Sequence, residues 1–152
     1  MKTPLDTPSL RNKVISLLAR REYSRAELYQ RFKDQVESTQ LLNEELDRLA
    51  ENGYQSDQRF AESFVRQRVS QYWGQKRITY ELQQKGIPKD LILRILEEME
   101  VNWADLAKEL AIKRFNQSVP TSQKEQSRRF RYLLNHGFDY EEAKNALKPE
   151  FE

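Results

Sequence analysis

The hexapeptide LQQKGI at residues 82–87 recurs in related form 51 residues later, as LLNHGF at residues 133–138. Apolar positions in the segments that follow also correspond, and the matched pairs are Ile92 with Ala143, Ile95 with Ala146 and Leu96 with Leu147. Nearer the N-terminus, an offset of 50 residues aligns Leu28 with Ile78 and Phe32 with Leu82. Self-similarity at such a period is typical of repeat proteins, so the sequence predicts three tandem units of about 50 residues each.

The whole chain is predicted to be helical. Good helix formers dominate, and only four glycines and five prolines interrupt them. Apolar residues recur at helical spacing, as in Leu91, Ile92, Ile95, Leu96 and Met99. Ser24 with Glu27 forms a capping-box pattern, and Gly53, Gly86 and Gly137 stand where glycine ends a helix. These signals predict nine helices, over residues 8–21, 24–34, 38–52, 56–72, 74–85, 88–99, 102–115, 121–136 and 139–148.

The repeat and the helices together define the expected fold. We predict an all-α protein of three tandem three-helix repeats, over residues 1–55, 56–100 and 101–152, with no sheet. A three-helix unit of this size buries too little surface alone and packs on its neighbours, which predicts an elongated, curved array. Such an array would exceed the radius of gyration of roughly 15 Å expected for a compact domain of this length.

Composition excludes several functional classes. The 152 residues include no cysteine and one histidine, so they offer no disulfide, no thiolate nucleophile and no ordinary zinc or iron site. We expect neither a metal nor another cofactor. No apolar run approaches the length of about 20 residues that a membrane span needs, and the first residues lack the apolar segment of a signal peptide. The expected location is the cytoplasm, without membrane association.

No catalytic motif is present, which predicts that the protein is not an enzyme. The sequence has no phosphate-binding loop, nucleophile elbow or HExxH motif. Adjacent carboxylates such as Glu44 and Glu45 point in different directions on a helix, and we expect them to be solvated. His136 precedes Gly137 at a predicted helix end, where an imidazole interacts with the terminal carbonyl groups.

The middle of the chain is its basic part. Residues 56–96 carry eight basic and four acidic side chains, whereas residues 1–55 are neutral and residues 97–152 have a net charge of −2. Basic and aromatic residues alternate on either side of Gly74, and this pattern suits phosphates or carboxylates of a partner. The candidate binding residues are Arg66, Arg68, Tyr72, Trp73, Lys76, Arg77 and Lys85.

Two interpretations of these residues stay open on the sequence. Tyr72 and Trp73 continue the apolar face of Phe60, Phe64 and Val65, so either aromatic side chain can belong to the core. Exposed aromatic rings in the same positions would stack on a base or anchor a protein interface. The basic residues likewise fit either a binding surface or an ordinary solvated helix face.

Two longer segments resemble the RecX family of recombinase regulators. They are GYQSDQRFA at residues 53–61 and WGQKRITYELQQKGI at residues 73–87. SRAEL at residues 24–28 and RFRYLLNHGF at residues 129–138 also fit the family pattern, so the resemblance covers about residues 10 to 148. Gln55, Ser56 and Gln75 depart from the family pattern at helix starts. For Asp57 and Arg59 within the motif, we favour a structural role through helix capping and an ion pair.

The resemblance implies a regulator rather than a catalyst. It implies binding to the RecA recombinase filament and repression of its ATPase, strand-exchange and LexA-directed coprotease activities, and so of the SOS response. A second hypothesis is an autonomous helical nucleic-acid-binding module, which would bind single- or double-stranded DNA without RecA. A monomer is the expected state.

Overall fold

The computed structural model describes residues 3–148 of the chain. The extreme ends of the predicted first and third repeats lie outside these residues. Within residues 3–148 the chain forms nine helices and no strand, apart from an isolated bridge between Leu5 and Val36. The prediction of an all-α fold is therefore confirmed. The helices are α1 (Thr7–Leu18), α2 (Arg25–Phe32), α3 (Thr39–Glu51), α4 (Asp57–Ser70), α5 (Gln75–Gln84), α6 (Lys89–Glu98), α7 (Trp103–Phe115), α8 (Gln123–Asn135) and α9 (Tyr140–Ala146).

Polar side chains fix where several helices begin. The Ser24 hydroxyl accepts a hydrogen bond from the Glu27 N–H, and the Glu27 carboxylate accepts one from the Ser24 N–H, which completes the predicted capping box of α2. Asp139 and Glu142 form a second capping box at α9. Gly53, Gly86 and Gly137 all follow helices with positive φ, as predicted. None of the described helices is both long and apolar enough to cross a membrane.

By the density of its internal contacts, the chain divides into two compact units. The N-terminal unit comprises residues up to Ser63 together with Leu82–Ile95. The C-terminal unit comprises Phe64–Glu81 together with residues from Leu96 onward. Helices α4, α5 and α6 each contribute to both units, so contact density groups the chain differently from the three predicted repeats. The predicted repeat boundaries stay a prediction.

The N-terminal unit has an apolar core with one charged group inside it. One apolar cluster of this unit consists of the buried residues Leu10, Val14, Leu28, Phe32, Leu42, Leu46 and Leu49. Glu45 is only 1% exposed, and its carboxylate accepts hydrogen bonds from Arg11 at 2.6 Å and Arg48 at 3.0 Å. A buried charge requires such pairing. The expectation that Glu45 is solvated was wrong.

The core of the C-terminal unit is formed by α7, the end of α8 and α9. The buried residues of this cluster, which include Phe138 from the turn between α8 and α9, are Leu106, Ala107, Leu110, Ala111, Leu133, Phe138 and Ala143. Tyr72, in a left-handed conformation with φ of 65° between α4 and α5, packs against this core. Tyr72, one of the two aromatic residues whose role the sequence left open, therefore contributes to the packing of this unit.

Candidate functional site

The structure separates one of the seven predicted binding residues from the others. Arg66, Arg68, Tyr72, Trp73, Lys76 and Arg77 belong to the C-terminal unit, whereas Lys85 belongs to the N-terminal unit. Lys85 Nζ lies 3.3 Å from a carboxylate oxygen of Glu27. Its charge is thus already paired within its own unit.

A close contact between two glycines organises the six residues of the C-terminal unit. The Gly74 N–H donates a hydrogen bond of 2.6 Å to the His136 carbonyl, and the Lys76 N–H donates one of 3.1 Å to the Gly137 carbonyl. A Cβ atom at Gly74 would come within 2.5 Å of the Gly137 oxygen. One at Gly137 would come within 2.5 Å of the Arg77 Cβ. We call this contact the Gly137 joint; it fixes the start of α5 against the end of α8.

Aromatic rings and cations line the Gly137 joint. The Trp73 ring stacks on the His136 ring, with centroids 4.5 Å apart and planes 16° apart, and Arg77 lies over the same indole at 4.8 Å. His136 in turn contacts the Tyr132 ring, at 4.4 Å between centroids. Trp73 is half-buried, and its ring already contacts the His136 imidazole and the Arg77 guanidinium group. It holds the joint together rather than presenting a bare ring to solvent.

His136 caps its helix as the sequence predicted. Its Nδ1 atom lies 3.0 Å from the Tyr132 carbonyl oxygen. A carbonyl only accepts hydrogen bonds, so Nδ1 carries the proton and donates it. The Tyr132 carbonyl also accepts a hydrogen bond from the His136 backbone N–H, so the imidazole adds a second bond at the end of α8 and presents its ring to Trp73.

Two of the candidate arginines share one carboxylate. Arg68 Nε lies 3.0 Å from one oxygen of Glu81, and Arg77 Nε lies 2.8 Å from the other. Burial raises the pKa of the Glu81 carboxyl, but the hydrogen bonds and charges of Arg77 and Arg68 outweigh burial and hold it below its ordinary value. Glu81 is therefore ionised at neutral pH and partly neutralises the two guanidinium groups.

The other two candidate cations have no such partner. Arg66 and Lys76 are exposed, and within residues 3–148 no carboxylate oxygen lies at ion-pair distance from either. Burial raises the pKa of the Glu142 carboxyl, and the charge of Lys76 opposes that rise only in part. Between Phe64 and Glu81 the chain thus carries four basic side chains against one acidic. The surplus of positive charge is available to an anionic partner.

A second basic segment was hidden by averaging charge over the last third of the chain. Residues 110–138 carry six basic side chains and one acidic, Glu125. Lys113 Nζ lies 4.8 Å from the centre of the Tyr72 ring, and Arg114 lies 5.5 Å from that of Tyr132. A shorter averaging window would have found this segment, because the acidic residues lie on either side of it.

The N-terminal unit contains a second joint of the same kind. A Cβ atom at Gly86, which has φ of +83°, would come within 2.5 Å of the Ala26 Cβ. The offset of 51 residues that relates Gly86 to Gly137 also relates Ala26 to Arg77. We call this contact the Gly86 joint. Here the neighbouring side chains are ionic, because Glu27 accepts hydrogen bonds from Arg21 at 3.2 Å and Lys85 at 3.3 Å.

Asp57 and Arg59 of the family motif have structural roles. The Asp57 carboxylate accepts hydrogen bonds from the Arg25 N–H at 2.9 Å and the Gln55 amide at 3.0 Å, so it caps α2 rather than its own helix. Ser56 caps α4 instead, through the Arg59 N–H. The Arg59 side chain pairs with Glu22 and donates to two carbonyl groups in residues 53–54. Both residues fix local structure, as expected.

Residues 3–148 form nine helices, with close glycine contacts that recur at an offset of 51 residues and a surplus of basic side chains. These features define a helical-repeat protein. Two models of one family match consecutive parts of this chain: the second three-helix domain of RecX at residues 56–96, and the third at residues 100–147. The chain belongs to the RecX family of regulatory proteins.

Relatives and a solved structure extend the match to nearly the whole chain. The regulatory protein RecX of Chromohalobacter salexigens is 39% identical over 152 residues, covering 100% of this chain and 98% of the relative. That of Pseudomonas putida KT2440 is 37% identical over 139 residues, covering 91% and 89%. The crystal structure of RecX from Lactobacillus salivarius superposes with a TM-score of 0.78 at 20% identity, covering 93% of this chain and 94% of that one. That last similarity supports the fold.

Proposed function

We propose that this protein binds the RecA–DNA filament and represses its ATPase, strand-exchange and coprotease activities, in the cytoplasm and as a monomer. The observation that carries the proposal is membership of a family of regulatory proteins over almost the full length of the chain. A regulator of this kind needs a binding surface and no catalytic chemistry of its own.

The proposed contact surface consists of Arg66, Arg68, Lys76 and Arg77 on α4 and α5. A nucleoprotein filament offers phosphates and acidic side chains, and both classes of anion accept hydrogen bonds from lysine and arginine. Arg66 and Lys76 enter such contacts directly, because neither has an ion pair to break within the described residues. The Gly137 joint fixes the start of α5, so the cations of that helix are presented on a rigid support.

The test is DNA-stimulated ATP hydrolysis by the cognate RecA, titrated with this protein. We expect the parent protein to repress hydrolysis and the double variant R66Q/K76Q to need roughly tenfold more protein for the same effect. The matched control is K108Q/K144Q, which removes two other exposed lysines of the C-terminal unit. Full ATPase activity at every ratio of parent protein would disprove the proposal, and equal potency of the two double variants would disprove the proposed surface.

Glu81 offers a variant with the opposite sign. Glu81→Gln frees Arg68 and Arg77 from their shared counter-ion while keeping a side chain of the same size. We expect filament binding about two- to fivefold tighter than for the parent, with the largest gain at low salt. Binding that is unchanged or weaker would mean that the two arginines support the helices and do not contact the partner.

The second candidate is an autonomous DNA-binding module, favoured by the basic segment at residues 110–138. If that segment binds DNA by itself, the affinity for bare DNA falls steeply with salt in proportion to the number of phosphates neutralised. Binding of fluorescent single- and double-stranded DNA without RecA, at about 0.15 M salt, separates the two candidates. Tight binding that RecA leaves unchanged favours the DNA module, whereas weak binding with a shallow salt dependence favours the filament.

A further inference from the structure

A cleft on the N-terminal unit has none of the residues discussed for filament binding in its lining. It has a volume of about 370 Å³ and is lined by seven residues of α1, α2 and the turn after α2. Five of them are polar, two of these are basic and none is acidic: Asn12, Lys13, Ser16, Arg31 and Gln35. The remaining two are apolar: Leu17 is half-buried and supplies apolar surface, whereas Phe32 is almost fully buried.

The cations of this cleft differ from most others in their unit. The basic side chains of this unit that form ion pairs include Arg11, Arg21, Arg25, Arg48, Arg59 and Lys85. Lys13 and Arg31 are exposed, and no carboxylate of the described residues lies at ion-pair distance from either. Two unpaired charges of one sign in the lining of a single cleft favour an anionic ligand there.

The polar neutral groups of the cleft also have unused hydrogen-bonding capacity. The side chains of Asn12 and Ser16 have no hydrogen-bond partner among residues 3–148. Gln35 uses its amide nitrogen on the Arg31 carbonyl at 2.9 Å, and its amide oxygen stays free. The cleft therefore offers donors and acceptors beside its two cations, as a peptide-binding site requires.

The residues that line the cleft indicate which kind of anion fits it. Stacking of a nucleobase needs an open aromatic face, and the one aromatic lining residue, Phe32, is only 3% exposed. A nucleic-acid backbone also needs a row of cations, whereas this cleft has two. A glutamate or aspartate side chain fits better, because its carboxylate meets Lys13 and Arg31 while adjoining carbon atoms contact Leu17.

We propose that the α1–α2 cleft binds an acidic segment of a protein partner, with carboxylates between Lys13 and Arg31 and an apolar side chain against Leu17. This site is independent of the α4–α5 surface, so each can fail without the other. Arginine forms paired hydrogen bonds to a carboxylate and lysine acts as a mobile point charge, and together they accommodate more than one acidic sequence.

The experiment uses the full chain, isotopically labelled, and a nine-residue peptide of glutamate and leucine with blocked ends. We expect the peptide to shift the NMR signals of Asn12, Ser16 and Gln35. A peptide with glutamine in place of glutamate should not shift them. The variant K13Q/R31Q should bind the acidic peptide at least about tenfold more weakly, since two charged contacts are lost.

The matched control is R20Q/K89Q, which removes two exposed, unpaired cations of the same unit outside the cleft. It should change peptide affinity less than about twofold, because distant exposed charges are screened by salt. Equal loss in both double variants would replace the site with a general charge effect and overturn the proposal. NMR shifts confined to other residues of the parent protein would also overturn the proposal. The same holds if a twelve-nucleotide oligothymidine binds in the cleft more strongly than the peptide does.

Discussion

The Gly86 and Gly137 joints share a close backbone approach at a glycine and differ in the contacts around it. Each brings a glycine with positive φ against the start of a helix, and in each an added Cβ atom would lie 2.5 Å from the Cβ atom there. Around Gly86 the contacts are ion pairs of Glu27 with Arg21 and Lys85. Around Gly137 they are two backbone hydrogen bonds and a stack of Trp73 on His136.

The difference indicates which part of the joint the repeat requires. The glycine and the close approach occur at both sites at the same offset, so the spacing of the backbone is the shared element. The side chains around the glycine differ between the two joints: ion pairs surround one and stacked aromatic rings surround the other. The ionic joint should respond to pH and salt, and the aromatic joint should not respond to salt.

The largest expected effects come from filling the space at the glycines. Gly137→Ala forces a methyl group against the Arg77 backbone nitrogen, 2.7 Å away, at a φ of +95°, and should cost about 3–5 kcal/mol of unfolding free energy. Gly86→Ala meets a side-chain atom instead and should cost about 2–3 kcal/mol. Denaturant unfolding measures both.

Gly53→Ala serves as the control for these two substitutions. Gly53 has a φ of +80° but nothing within 4 Å of an added Cβ atom, so only backbone strain remains, at about 1 kcal/mol. If all three variants lose the same stability, the close approach contributes nothing and the two joints are ordinary turns.

The next effect concerns the aromatic stack. Trp73→Ala removes a half-buried ring and should destabilise the protein by about 2 kcal/mol. His136→Ala should cost about 1 kcal/mol, through loss of the stack and of the hydrogen bond to Tyr132. A double-mutant cycle should give a coupling energy of about 0.5–1.5 kcal/mol. Strictly additive losses would show that the two rings touch without stabilising each other.

A smaller, pH-dependent effect is expected at the ionic joint. Burial raises the pKa of the Glu27 carboxyl, but the hydrogen bonds from Ser24 and Arg21 and the charges of Arg21 and Lys85 outweigh it and leave the pKa below its ordinary value. A carboxyl whose pKa is lower in the folded state stabilises the fold above its unfolded pKa, and this contribution disappears as the pH falls through the folded value.

Glu27→Gln should therefore lose about 1–2 kcal/mol at neutral pH, and the difference from the parent should narrow below about pH 5. Chemical denaturation across that range provides the measurement. Glu51→Gln, at an exposed position without an ion pair among the described residues, should follow the parent throughout. A constant difference between Glu27→Gln and the parent at all pH values would contradict the assignment of the ionised carboxylate to this joint.

The smallest effect belongs to Lys85. Lys85→Met removes one half-exposed partner of Glu27 and should cost no more than about 0.5 kcal/mol. That loss should vanish in about 1 M salt, where exposed charges are screened. The loss of unfolding free energy in Trp73→Ala should persist under the same conditions. If salt leaves the loss in Lys85→Met unchanged, the methylene groups of Lys85 stabilise the fold by packing and its charge contributes nothing.

Local signals in the sequence predicted the helices and their ends well. Ser24 and Glu27 form the capping box that their spacing indicated, and the helix predicted for residues 139–148 is observed at Tyr140–Ala146. These features depend on neighbours within four residues, which a single sequence displays. The helix predicted for residues 8–21 ends at Leu18 in the structure, and no glycine or proline follows Leu18 to mark that end in the sequence.

Long-range contacts could not be predicted in the same way. The sequence predicted a helix start at Gly74, but the approach of Gly74 to Gly137 joins residues 63 positions apart. The pairing of Arg68 with Glu81 also depends on how two helices meet. Charge counting placed Arg68 and Arg77 in the basic segment correctly and gave no indication that both share one carboxylate. The sequence located the candidate surface, and only the structure distinguished its paired cations from its unpaired ones.

The N-terminal unit is discontinuous along the chain, since it includes Leu82–Ile95 but not Phe64–Glu81. During synthesis, its first 63 residues therefore emerge before the segment that completes their packing. At about 5–20 residues per second, the ribosome needs about 2–6 s to add the next 32 residues. For most of that interval the nascent chain has α1, α2 and α3 but not the Gly86 turn that packs on Ala26. Chaperone binding to the nascent protein should therefore be strongest in this window and decline once Ile95 has left the ribosome.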